Sequence, residues 1–255
     1  EKAIEIKPDY ANAHNNLGVI FKELRENQKA KSCYEKAIEI KPDYASAHYN
    51  LGVTFKELRE NQKAKECFEK AIEIKPDYAN AHYNLGVIFK ELGELQKAKD
   101  CYEKAIEIKP DYANAHNNLG VIFKELGEFQ KAKDCNEKTI SIDPNFSLAH
   151  YNLGVIFQEL GEFKKAKDCN EKTISIDPNY ADAHYNLGVI FKELGELQKA
   201  KDCYEKAISI DPLDKKYMVE YGNILLIFDD KFKGYEYIKK GAGVIKFTPS
   251  YSKII

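Results

Sequence analysis

The sequence predicts an all-α solenoid of antiparallel helix pairs, and three observations carry that prediction. Seven of its eight prolines stand 34 residues apart: Pro8, Pro42, Pro76, Pro110, Pro144, Pro178 and Pro212. The six histidines (His14, His48, His82, His116, His150, His184) and the six cysteines (Cys33, Cys67, Cys101, Cys135, Cys169, Cys203) keep the same step. Within each 34-residue unit, two apolar stripes at helical spacing flank a turn. A fixed period of this length marks a repeat array, in which each unit buries its apolar face against its neighbours.

The elements follow in order. Ala13, Leu17, Ile20, Phe21 and Leu24 fall on one face of a first helix. From the third unit onward Gly93, Gly127, Gly161 and Gly195 supply a residue free to take positive φ, which ends that helix. A second stripe follows, Ala98, Cys101, Tyr102, Ala105, Ile106 and Ile108, before Lys109-Pro110-Asp111-Tyr112. Proline cannot continue the helix and pushes the residue before it out of α geometry.

Some units depart from the pattern. Arg25 and Arg59 stand where later units have glycine, so a strained turn is expected there. Asn27 and Asn61 replace a Leu or Phe, so that turn should also be less well anchored. Asn136 and Asn170 replace the second-helix aromatic, and Thr139 and Thr173 replace its alanine. We read these as drift accommodated by local packing, with Phe129 and Phe163 nearby; a softer seam is the alternative.

His14-x-x-Leu17-Gly18-x-x-Phe21, followed by Ala30-x-x-x-Tyr34 and Pro42, resembles the tetratricopeptide repeat pattern. The resemblance covers six units: 11–44, 45–78, 79–112, 113–146, 147–180 and 181–214. It implies a right-handed superhelix whose first helices line the concave wall. Residues 1–10 match the end of a second helix, so part of a further unit is expected upstream. Residues 215–240 are expected to form a degenerate capping pair. There Tyr221-Gly222 echoes Leu-Gly, Gly234 and Gly241 stand for the small alanines, and Lys215, Lys216, Lys231, Lys233, Lys239 and Lys240 face water. Residues 241–255 are a non-repeat tail, read either as an extended segment packing on the last helices or as the start of a further domain.

Composition narrows the function. Thirty-nine basic and 41 acidic residues, evenly interleaved, give a net charge of −2, so no basic face for nucleic acid is expected. No apolar run reaches the length of a membrane span, so no membrane partner is expected. Gly241-Ala242-Gly243 is a lone Gly-x-Gly without the rest of a phosphate-binding signature, and no cofactor is expected. Copies of one residue in neighbouring helices stand about 8–10 Å apart. Zinc ligands must come within roughly 2.0–2.1 Å of one ion. The histidines are therefore read as packing residues and no metal is expected. The same spacing exceeds the roughly 7 Å limit for a disulfide, so the cysteines are read as small buried hydrophobes. Six unpaired thiols fit a cytoplasmic location. With no catalytic set in the sequence, the chain is expected not to be an enzyme.

The free face of the first helices is the candidate binding surface. One asparagine recurs in every unit (Asn16, Asn50, Asn84, Asn118, Asn152, Asn186) and reads as a ladder along one wall. An amide both donates and accepts, so each rung can bond a peptide backbone without reading its side chains. Val53, Val87, Val121 and Val155, with Val19 and Val189, add apolar contact; Lys56, Lys90 and Lys124, with Lys22 and Lys192, bias toward acidic ligands. Tyr49, Tyr83 and Tyr151, with Tyr185, add aromatic area with a polar end. Asn84 and its copies, followed by Leu-Gly and Phe-Lys-Glu, are similar to the repeat arm of O-linked N-acetylglucosamine transferases. That resemblance implies extended protein segments as ligands. Asn80, Tyr83 and Val87 match poorly the two-carboxylate clamp of chaperone cofactors.

The leading expectation is therefore a protein-interaction scaffold holding extended polypeptide in an asparagine-lined groove. A second is the substrate-recruiting arm of a larger enzyme, glycosyltransferase-like or other, with catalysis beyond Ile255. A third is a structural spacer that self-associates through the array ends. The alternative for the asparagines is that they bond neighbouring helices and hold the pitch.

Overall fold

The computed structural model describes residues 7–243, 245–248 and 251–254. Six of the residues assigned to an upstream repeat end, 1–6, lie outside them. The described residues form two compact units, 7–122 and 123–254, dividing inside one helix.

The first unit holds the helix pairs α1 (Ala11–Glu23) and α2 (Asn27–Ile40), α3 (Ala45–Glu57) and α4 (Asn61–Ile74), and α5 (Ala79–Glu91) and α6 (Leu95–Ile108), then most of α7 (Ala113–Glu125). Each first helix ends in a Schellman motif, which satisfies two carbonyls that the last turn would leave bare. After α5 the Gly93 amide donates to Lys90 O at 3.0 Å and the Glu94 amide to Phe89 O at 2.9 Å. The residue between helices is left-handed in every case: Gly93 at φ 76°, and Arg25 and Arg59 at 60° and 61°. The strain expected at the two arginines is present.

The helices of a pair meet closely because the first carries glycine where the second carries an aromatic. A Cβ at Gly86 would lie 2.7 Å from Tyr102 Cε1, and one at Gly52 2.7 Å from Phe68 Cε1. Those rings are buried, with Ala64, Ala71, Ala98 and Ala105 packed beside them. At the edge of the pair, Lys65 and Lys97 stand over the Phe89 ring at 5.4 and 5.3 Å, covering it with their stems.

The second unit continues with α8 (Phe129–Ile142), α9 (Ser147–Glu159), α10 (Phe163–Ile176), α11 (Ala181–Glu193) and α12 (Leu197–Ile210). Gly127, Gly161 and Gly195 make its turns at φ 76°, 73° and 76°. Asn136 and Asn170 sit fully buried in the aromatic's place. Their amides donate to Ala132 O at 2.7 Å and Ala166 O at 2.8 Å, while each Oδ1 has no partner. Thr139 and Thr173 bond Cys135 O and Cys169 O at 2.9 Å. Back-bonding to the helix thus accommodates most, but not all, of this polarity.

A seventh pair follows, α13 (Lys215–Ile227) and α14 (Lys231–Ala242). Tyr221, Ile224 and Leu225 join Leu187, Phe191, Ala200 and Tyr204 in one cluster. Asp214 caps α13, accepting from the Lys216 and Tyr217 amides at 2.7 and 3.3 Å. Asp182, at the start of α11, accepts from Tyr217 Oη and Lys216 Nζ, both at 2.9 Å. Two short strands, β1 (Ile245–Thr248) and β2 (Tyr251–Ile254), pair antiparallel with Ile245 opposite Ile254. Their β-branched and aromatic residues suit a strand.

Candidate functional site

The asparagine ladder is present, and its rungs are tied sideways. Asn84 Nδ2 donates to Tyr49 Oη of the preceding unit at 3.2 Å and to Asn80 O at 2.9 Å, while its Oδ1 accepts from Lys56 Nζ at 3.2 Å. Asn118 repeats the link to Tyr83 Oη at 3.2 Å, and Asn50 makes it to Asn15 Oδ1 at 3.0 Å. Each bond joins residues 35 apart, one unit plus one residue. Burial raises the Tyr49 phenol's pKa, the Tyr78 phenol adds to this, and the Asn84 bond opposes it. The hydroxyl therefore stays protonated at neutral pH.

This geometry corrects the expectation of freely presented rungs. Asn84 and Asn152 are 9% and 7% exposed, Asn50, Asn118 and Asn186 half-buried, and Asn16 alone open. An amide whose two protons and one lone pair are already engaged has little left for a peptide backbone. The links follow the pitch-holding alternative. The acceptor was missed from sequence, although its signal was there: the residue before each asparagine is always Tyr or Asn, both able to accept.

The other predicted residues are placed as follows. Val53, Val87, Val121 and Val155 are half-buried, as are Lys56, Lys90 and Lys124. Lys22 pairs with Glu57, and Lys192 with Glu220 at 2.8 Å. Tyr49, Tyr83 and Tyr151 lean on Tyr78, Tyr112 and Tyr180, with ring centroids 4.9, 5.0 and 5.0 Å apart.

Within the second unit, α9 and α11 form a pocket of about 460 Å³. It brings together the predicted residues Tyr151, Val155 and Asn186, and with them Val189. Gln158, Glu159, Phe163 and Glu193 complete the lining, and sequence reasoning had not placed them there. Burial first and the Asp182 carboxylate second push the Tyr151 phenol's pKa up, and a hydrogen bond with Asn186 opposes them. Tyr151 and Asn186 thus repeat the link seen at Tyr49 and Asn84.

The histidines serve the repeat joints. In each unit the ring Nε2 lies 2.8–3.1 Å from the carbonyl of the proline six residues earlier, as in His82 to Pro76 at 2.9 Å. A protonated Nε2 donates there and clasps the inter-repeat loop. None of the six cysteines is in a disulfide. Burial drives the Cys67 and Cys101 thiols up to about 12, with acidic neighbours adding to it, which removes them as nucleophiles at neutral pH. Among the described residues there is no cluster of three metal-ligating side chains, and no helix is long and apolar enough to cross a membrane.

A chain of helical hairpins, locked by Schellman turns and repeated every 34 residues, defines a helical-repeat protein. The tetratricopeptide repeat model matches residues 11–44, 45–78, 79–112, 113–146, 147–180 and 181–213. The chain belongs to the tetratricopeptide repeat family, whose arrays are protein-interaction scaffolds. No curated protein matches the sequence. Among solved structures, the fold is similar to that of the pilF protein of Pseudomonas aeruginosa (TM-score 0.70, 22% identity, covering 76% of this chain and 88% of that one). It is also similar to a tetratricopeptide repeat protein from Parabacteroides merdae (TM-score 0.70, 17% identity, 91% and 92% covered). A third similar structure is YrrB, described as having an unusual peptide-binding site (TM-score 0.60, 23% identity, 81% and 97% covered). At these identities the likeness concerns the fold.

Proposed function

We propose that the protein is a binding scaffold, acting by association rather than catalysis, which holds an extended polypeptide along the first-helix face. The observation that carries this is the pocket between α9 and α11, where apolar, aromatic and amide groups converge. Such a mixture suits protein ligands, since valine and aromatic surface gives contact area and a few polar groups fix orientation. Val53, Val87 and Val121 occupy the equivalent positions in the other units, half-buried, and extend the same chemistry. The asparagines contribute mainly by setting the spacing of these subsites. Six cysteines outside any disulfide support a cytoplasmic setting.

A photo-crosslinking amino acid at Val155 or Val189 tests the reading, with one at Glu171 or Glu205 on the exposed second-helix face as the control. Adducts in lysate specific to the first-helix positions are expected. Adducts that favour the second-helix positions, or none above background, would move binding off this face.

A further inference from the structure

The pocket of the fifth and sixth units differs from the rest of the array in charge and in packing. In the first unit the lysine of the first helix meets a glutamate one unit on, Lys22 with Glu57, and in the second Lys56 bonds the Asn84 amide oxygen. Gln158 holds that lysine's place in α9, so the pocket has lost its cation at this position. Glu159 and Glu193 remain on its wall, exposed, and neither has an ion-pair or hydrogen-bond partner among the described residues. Lys192, beside Glu193, is engaged with Glu220, and Lys164, the lysine nearest Glu159 in sequence, is not part of the lining.

The packing difference lies at Tyr151. Tyr49, Tyr83 and Tyr185 each rest against an aromatic of their own second helix, Phe68, Tyr102 and Tyr204, at 5.9, 5.8 and 5.8 Å. For Tyr151 that partner is replaced by Asn170, and among the described residues its aromatic neighbour is Tyr180 alone. A pocket with two unpaired carboxylates, an under-stacked tyrosine, Phe163 and two valines matches one side chain best. Guanidinium is cationic, planar and weakly hydrated, and it stacks on aromatic faces while bonding carboxylates. Its aliphatic stem suits Val155 and Val189.

We infer that this pocket is an anchor for an arginine side chain of the bound polypeptide. The inference rests on the proposed first-helix binding face and specifies its ligand. It reverses the preference for acidic ligands that the lysines of the other units imply.

The test uses the full chain and two fluorescein-labelled ten-residue peptides of serine and valine, one with a central arginine and one with citrulline, its neutral isostere. The arginine peptide should bind about tenfold more tightly, the combined effect of a cation–aromatic contact and two exposed ion pairs. Gln158→Lys, and separately Glu159→Gln with Glu193→Gln, should cut the arginine-over-citrulline preference at least threefold, leaving the part that the aromatic contact supplies. Equal affinity for the wild type, or a preference undiminished in both variants, overturns the anchor. If the peptides bind equally and both are lost in Val189→Asp, the anchor falls while the binding face stands. Binding by neither peptide up to roughly millimolar concentration also overturns the anchor, and crosslinking at Val155 then decides the face independently.

Discussion

Asn84 Nδ2 donates to Tyr49 Oη across 3.2 Å, from one repeat to the tyrosine 35 residues before it. The bond joins consecutive first helices on the face proposed to meet partners. A ligand bound there would meet polar groups that are already ordered, and less side-chain entropy would be lost on binding.

The first prediction concerns this link. Asn84→Ala leaves the Tyr49 hydroxyl and the Lys56 ammonium without their partner, and should cost about 1–3 kcal/mol. Asn16→Ala removes an exposed amide and should change stability by less than about 0.5 kcal/mol. Denaturation midpoints followed by circular dichroism compare the two. Equal costs would mean that the lateral bond contributes nothing.

Arg59 gives the second. It holds φ 61° where Gly93 and its copies hold 73–76°, and a side chain in that region costs roughly 1–2 kcal/mol. Arg59→Gly should therefore stabilise the array, by about 1 kcal/mol once glycine's greater freedom in the unfolded chain is subtracted. The reverse change, Gly93→Arg, should destabilise it to a similar degree. Thermal melts of both variants decide it; destabilisation by both would show that the arginine makes compensating contacts.

How far these features were legible in the sequence depends on their range. The helix pairs, the turns and the strain at Arg25 and Arg59 are local consequences of spacing and of glycine chemistry, and they were readable. The ladder was readable as a pattern, but its bonding was not. Whether Asn84 faces a ligand or Tyr49 depends on the rotation of one helix against the next, which a 34-residue period does not specify. The pocket residues Gln158 and Glu193 belong to different units, and only packing joins them. The β1–β2 hairpin was missed for another reason. Its strands are four residues each, too short for an alternation to show against the helical repeats before them.

Asn170 supplies the third prediction. It is fully buried, its amide turned back to Ala166 O and its Oδ1 unpaired, at a site where sister units bury Tyr102 or Phe68. A buried carbonyl with no partner costs roughly 1–3 kcal/mol, whereas an apolar side chain there would add transfer free energy. Asn170→Leu should raise stability by about 1–2 kcal/mol, and hydrogen exchange should slow most in α9 and α10. If the variant is instead less stable, the amide is bonded in solution, for example to a buried water. In that case the polar seam beneath Tyr151 is a built feature of this repeat rather than drift. Peptide binding measured on the same variant separates the two effects: stability gained with the arginine preference intact would show that Asn170 acts on packing alone.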